Sequence, residues 1–419
     1  MRSITNQVSS MVKLPGMATR PKELDISVDN HYTSRVYTCG SAISGSVVIN
    51  PRRNTKFNFV QIHLISKTTV TTDDAYISKS TSQLLLKVSM PVPESVYPEP
   101  RVFKIGTTYK IPFRFVIPSQ LTDGACVHNV DSDEMRDRHL RLPSTLTGWE
   151  KDDMAPTLLG VKYFVRARVM YLPQGKAEDD AVALLEAEHR LRVLAQSPED
   201  PPLNVDKYDK HYRLSQIKLM RKSMFSTPLG RIIANSTQPP AIHLSPDGHG
   251  AGGSSVQIDL AFEPHVGNIV PPEVTLNSLK IVAHTWYCSQ PIQNLPNMGP
   301  GRIPFSLSAK VVCDSLEYES WKKPRTTSSG VLENEDKEGV KIRPYTSSVR
   351  VDFRLPTSDH VFPPTFHSCL VSRTYALQAN LTAGGCDFSL VLPIQIAMDA
   401  GDQTQGWAIQ NVELPGWTD

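Results

Sequence analysis

Apolar and polar residues alternate with a period of two in run after run of this chain, and that alternation limits what it can fold into. Val60, Ile62 and Leu64 alternate with Gln61 and His63, while Tyr163, Val165, Ala167, Val169 and Tyr171 stand opposite a face carrying Lys162, Arg166 and Arg168. Later, Ile258, Leu260 and Phe262 alternate with Gln257 and Asp259, and Leu307, Ala309 and Val311 with Ser308 and Lys310. The cleanest run sets Val349, Val351, Phe353 and Leu355 against Arg350, Asp352 and Arg354. Successive side chains of a strand point to opposite faces, so each run predicts a strand with one buried and one wet face. Strands wet on one face belong to antiparallel sheets. Many of them, bounded by turn residues, predict an all-β chain built of antiparallel β-sandwiches with little helix. Proline agrees: 33 of the 419 residues are proline, above the roughly 5% typical of proteins, and such a density excludes many long helices. Helix is expected only after Glu178, where Ala181, Leu184 and Leu185 fall near helical spacing. That turn or two gives way to a strand from about His189.

Punctuation divides the strands into two lobes, at 23–200 and 256–398. Residues 1–22 form a polar lead-in without the apolar block of a secretory signal; they read as a disordered tail, or alternatively as an organellar presequence. Residues 201–255 contain Pro201-Pro202, Pro239-Pro240 and the glycine-rich run from Gly248 to Gly253, and read as a Pro/Gly-rich connector between the lobes. In the second lobe, 325–339 is a polar insertion loop, and 399–419 is a C-terminal tail. No stretch approaches the ~18 consecutive apolar residues of a membrane-spanning helix. The six cysteines, Cys39, Cys126, Cys288, Cys313, Cys369 and Cys386, show no CxxC pair and read as reduced thiols of a cytoplasmic protein.

A net charge of +2 gives no global electrostatic case for binding nucleic acid. No GxSxG, HExxH, GxxxxGK[ST] or strand-borne GxGxxG is present, so the chain reads as non-enzymatic, with no catalytic residue and no cofactor. The Gly248–Gly253 run follows Pro246-Asp247 rather than a hydrophobic strand and reads as a flexible linker. His243 with His249, and His360 with His367, flank loops without the third and fourth converging ligand that a metal site requires, so no metal is expected. Asp131-Ser132-Asp133-Glu134 and Asp152-Asp153 read as solvated loops. One charge feature stands out. Lys207, Lys210, Arg213, Lys218, Arg221, Lys222 and Arg231 face only Asp206 and Asp209, with Tyr208, Tyr212, Met224 and Phe225 interleaved. These cations are either a contact for a partner or an anionic membrane, where each contributes roughly 1 kcal/mol, or a solvated strap crossing the lobe interface.

The order of the strand segments resembles the arrestin family, in particular the fungal-type α-arrestin branch of arrestin-related trafficking adaptors. The resemblance runs from Leu24–Asp29 and Tyr37–Val47 through Val60–Leu64, Tyr109–Pro118, Leu142–Leu146 and Val161–Ala167. It continues over Val349–Leu355, Thr374–Ala379 and Leu390–Ile394, so it spans nearly the whole chain. Within it, Gly40 and Gly45 bracket a strand where the chain is expected to turn through positive φ, and Pro112 and Pro118 are expected to mark a strand's ends. The resemblance implies an arrestin-like adaptor that binds a membrane transporter or receptor as cargo. It would link that cargo to a WW-domain HECT-type ubiquitin ligase, endocytosis and protein transport, peripheral to the plasma membrane or endosomes. Family members recruit the ligase through Pro-Pro-x-Tyr. Here the four Pro-Pro pairs continue as Leu203-Asn204, Ala241-Ile242, Glu273-Val274 and Thr365-Phe366, so ligase engagement is expected to be indirect. Lys218, Lys222, Lys322 and Lys323 are candidate ubiquitin acceptors. Alternative readings are a retromer-type cargo subunit of endosomal sorting and a β-sandwich binding module with no trafficking role.

Overall fold

The computed structural model describes residues 22–74, 77–223, 225–265, 269–298, 303–323 and 344–399. The insertion at 325–339 and nearly all of both tails lie outside these residues. The chain is nearly all β, arranged in several multi-strand, mainly antiparallel sheets; among the described residues two short pairings, Val36–Thr38 with Arg192–Leu194 and Ile242–His243 with Ile396–Ala397, are parallel.

The first lobe contains β1 (Leu24–Val28), β2 (Val36–Thr38), β3 (Ala42–Ile49), β4 (Thr55–Lys56), β5 (Phe59–Asp74), β6 (Ile77–Met90), β7 (Val102–Phe103), β8 (Tyr109–Val116), β9 (Leu159–Tyr171) and β10 (Val182–Leu194). A three-stranded sheet β1-β3-β8 faces a five-stranded sheet β2-β10-β9-β5-β6 across a common core, with β4-β7 as a small ribbon. Register follows the alternation: Ile26 pairs with Val47, and Val47 with Ile111, all buried. On the opposite sheet Ile62 pairs with Ala167 and Leu64 with Val165. The wet face of β9 and β10 places Arg166 opposite Glu188 and Arg168 opposite Glu186, with Nε–Oε hydrogen bonds of 2.9 and 3.0 Å. Such directly opposed charges reinforce a chosen register.

The second lobe contains β11 (Ser215–Met220), β12 (Gly230–Ser236), β13 (Ile242–His243), β14 (Ser254–Pro264), β15 (Val274–Tyr287), β16 (Phe305–Lys310), β17 (Val312–Tyr318), β18 (Tyr345–Arg354), β19 (Phe366–His367), β20 (Val371–Ala383), β21 (Cys386–Ile394) and β22 (Ile396–Ala397). The sheet β11-β12-β14-β18-β17 packs on β16-β15-β20, whose far edge is shared by β19 and β21. Val349, Val351 and Phe353 of β18 are fully buried, as their alternation predicts.

Several sequence expectations are corrected. The stretch 201–255 is more than a connector, because it supplies β11, β12, β13 and the start of β14. Ile232, Ala234 and Ser236 of β12 pair with Phe262, Leu260 and Ile258 inside the second core. After a single 3-10 turn at Glu178–Asp180, β10 begins at Val182, well before His189. A bulge between Ala183 and Leu185 adds a residue to the strand, and this breaks the period of two and mimics helical spacing. The acidic run at 131–134 caps an unforeseen helix, α1 (Asp133–Leu140). Ser132 Oγ accepts from the Met135 amide at 3.2 Å, and Asp133 and Glu134 occupy the positive first turn. Gly40 does turn at positive φ (83°), but Gly45 lies inside β3. Its role is close approach: a Cβ there would stand 2.1 Å from the Ser27 carbonyl oxygen. Pro112 sits mid-strand in β8, which is tolerated because β8 is the outer strand of its sheet.

Gly45→Ala is therefore expected to destabilise the protein by about 1–3 kcal/mol through overpacking, read as a lower midpoint in urea unfolding. Gly124→Ala, where an added Cβ meets nothing within 4 Å, is the neutral control.

Candidate functional site

The two lobes meet along a seam at which each completes the other's interior. Met154 and Leu194 of the first lobe lie in the core of the second. Phe366, Cys369, Leu370 and Val371 of the second lie in the core of the first. Backbone bonds stitch the same line: Ser197 and Met398 exchange amide-to-carbonyl bonds of 3.0 and 2.9 Å, and the Val361 amide donates to the Asp152 carbonyl at 2.9 Å. Arg138 is ion-paired with Asp200 beside them.

At the centre of the seam, the fully buried Arg373 of β20 donates through Nη1 to the Met154 carbonyl (3.1 Å) and through Nη2 to the Asp153 carbonyl (2.5 Å). Both carbonyls are held in place by a turn folded around its own carboxylates. Asp153 accepts from the amides of Thr147 (2.6 Å) and Ala155 (3.2 Å), and Asp152 accepts from the Met154 amide (2.9 Å). Thr147 and Met154 sit at φ 61° and 56°, in the left-handed region that branched and bulky side chains avoid. Burial lifts the Asp153 carboxyl above the ordinary carboxylate range, against the pull of these amides and of Arg373. Asp153 is thus a buried structural carboxylate, which corrects the reading of Asp152-Asp153 as a solvated loop at Asp153, while Asp152 is exposed as expected.

A second constellation adjoins the seam. Cys126, His128, His139 and Cys369 bring one ligand atom each to within 4.8 Å of one another, three of the four residues being buried. Cys126 follows a 3-10 turn (Asp123–Ala125), His139 lies in the last turn of α1, and Cys369 stands two residues before β20. Cys126 Sγ lies 3.4 Å from His128 Nε2 and 3.5 Å from His139 Nδ1. Burial pushes the His139 imidazole down to about 4 and the Cys369 thiol up to about 11. At neutral pH, therefore, the imidazole is uncharged.

None of the four histidines singled out in the sequence belongs to this cluster. His243 sits beside Glu199 and Asp399, His360 lies 3.6 Å from Asp152, and His367 is buried at the seam. His249 and His360 instead line a cleft of about 250 Å3, together with Val36, Trp149, Arg192 and Leu244, drawn from both lobes. Cys126-x-His128 was visible in the sequence. Its partners were not, because α1 supplies one and the far end of the chain the other.

All seven cations of the basic stretch are exposed. Lys207 and Lys210 precede β11, and the backbone of Arg213 bonds that of Val391. Lys218 lies on β11, with Arg221 and Lys222 just past its end. Arg231 is ion-paired with Glu263, and Arg221 donates to the Ser226 carbonyl at 2.6 Å. Phe225 is 95% exposed beside them, and Ile217 and Leu219 are exposed on β11, an edge strand. Tyr212 differs from its neighbours: it is buried, and its hydroxyl accepts from Asn297 at 2.9 Å. Met224 lies outside the described residues. No protein-family model matches the chain, and no curated protein matches it. Among the described residues, no helix is long and apolar enough to cross a membrane.

Arg373→Ala leaves two buried carbonyls without their charged donor and is expected to cost about 2–4 kcal/mol, measured by urea unfolding. Arg373→Lys should recover little of this, because an ammonium cannot reproduce the planar fork that reaches both carbonyls.

Proposed function

We propose that the chain is a non-enzymatic, arrestin-like adaptor that holds membrane-protein cargo and links it to ubiquitin-dependent endocytosis and transport. The observation that carries this reading is the seam. Two antiparallel sandwiches that share core residues and a buried Arg373 present broad sheet faces in a fixed relation, as a grip on a larger partner requires. The ligase is engaged through a second protein. Of the Pro-Pro pairs, Pro363-Pro364-Thr365-Phe366 comes nearest to a WW-domain ligand, yet its Thr365 amide donates to the Ile396 carbonyl at 2.8 Å and Phe366 opens β19. That segment is occupied as structure. The β11–β12 edge, with Lys218, Arg221, Lys222 and exposed Phe225, supplies contact to an anionic bilayer on the cytoplasmic side of the plasma membrane or endosomes.

Crosslinked affinity capture of the full chain from cells is expected to recover an integral membrane protein together with a ubiquitin ligase. Recovery of a stable multi-subunit coat instead would favour the retromer-type reading, and recovery of none of these would overturn the adaptor. Replacing Lys218, Arg221 and Lys222 by Glu and Phe225 by Ser is expected to weaken binding to phosphatidylserine vesicles at least tenfold, at roughly 1 kcal/mol per cation removed. Unchanged binding would remove the bilayer from the reading.

A further inference from the structure

We propose that Cys126, His128, His139 and Cys369 bind one zinc ion tetrahedrally and that this ion clamps the two lobes together. The donor set comes first. Two thiols and two imidazoles are the ligands of structural zinc sites, whereas calcium and magnesium take oxygen. With Zn–S near 2.3 Å and Zn–N near 2.0–2.1 Å, a tetrahedral site places sulfur and nitrogen ligands about 3.5–3.6 Å apart. The two sulfur–nitrogen separations from Cys126 are 3.4 and 3.5 Å. Four donors within 4.8 Å of one another thus need only a small inward movement to share one ion.

The surroundings suit the same occupant. His128 Nδ1 lies 2.9 Å from the Asn129 carbonyl oxygen, so Nδ1 carries the proton and Nε2 turns its lone pair toward Cys126. An imidazole oriented through its other nitrogen is the usual support of a metal-bound histidine. Arg136 donates to the Cys126 carbonyl at 2.8 Å and to the His128 carbonyl at 3.4 Å, which fixes the Cys-x-His loop from behind. Zinc entry would release two thiol protons to solvent, leaving a cluster whose two thiolates balance the ion's charge. A Cys126–Cys369 disulfide is the competing use of the two sulfurs. It does not explain why two imidazole nitrogens are aimed at the same point.

The position gives the ion its role. Cys126, His128 and His139 belong to the first lobe, whereas Cys369 belongs to the second-lobe segment whose neighbours Leu370 and Val371 fill the first lobe's core. A bond from the metal to Cys369 therefore crosses the seam.

The test uses the full chain, purified under reduction, incubated with one equivalent of zinc and passed into metal-free buffer. Mass spectrometry of the metal is expected to find one zinc per chain. Cys369→Ser and His139→Asn should each lose it, while Cys313→Ser, which removes an exposed thiol, keeps it. Wild-type chain loaded with cobalt should show tetrahedral d–d bands and thiolate charge transfer. Chelation should lower the melting temperature by several degrees, reversibly on adding zinc back. Where the variants fail to fold, the wild-type zinc content and cobalt spectrum decide. Metal-free wild-type chain after zinc incubation, an octahedral cobalt spectrum, or a Cys126–Cys369 disulfide that forms despite zinc would each overturn the proposal.

Discussion

The architecture depends on one guanidinium being worth burying. Arg373 is removed from water, and its charge is met by backbone carbonyls rather than by a carboxylate in direct contact. Those carbonyls are available only because the 147–155 turn, strained at Thr147 and Met154, is held by the side chains of Asp152 and Asp153. Strained backbone persists where its surroundings over-determine it, and here the surroundings come from both lobes. The order of dependence runs from Asp153 to the turn, from the turn to Arg373, and from Arg373 to β20, which pairs with β15 along one side and with β19 and β21 along the other.

This linkage explains why the fold was legible in the sequence while the seam was not. Alternation is a local signal, and it marked strands such as β14 and β18 because each has one face in a core and the other largely in water. In β5 the alternation ran ahead of the burial, since His63 and Ile65 on its second face are buried as well. It failed where a local device interrupts it. The bulge in β10 imitated a helix, and Pro112 at an edge imitated a strand's end. The Pro-Gly punctuation of 201–255 concealed β11 and β12, although Ile232 and Ala234 do alternate. Gly45 illustrates the limit well. A glycine needed for a turn and a glycine needed for close approach are the same letter, and only the position of Ser27 tells them apart.

The candidate site was less legible for a reason of the same kind. Short acidic runs are usually solvated, so Asp152-Asp153 and Asp131–Glu134 carried no sign that Asp153 is buried at an interface and that the other run caps a helix. Pairs of histidines close in sequence drew attention to His243, His249, His360 and His367. The convergent set instead joins a Cys-x-His turn, one helix and a residue near the chain's far end. Ligands contributed by tertiary contact leave no spacing to count.

The swapped interior also has a temporal side. A chain leaves the ribosome from its N-terminus, and early domains commonly fold before later ones exist. Here the first sandwich draws Phe366, Cys369, Leu370 and Val371 from a segment made long after its own strands. Taken alone, the first sandwich would leave that part of its interior open to water. Neither half is therefore self-sufficient: each sandwich closes its interior only with side chains lent by the other.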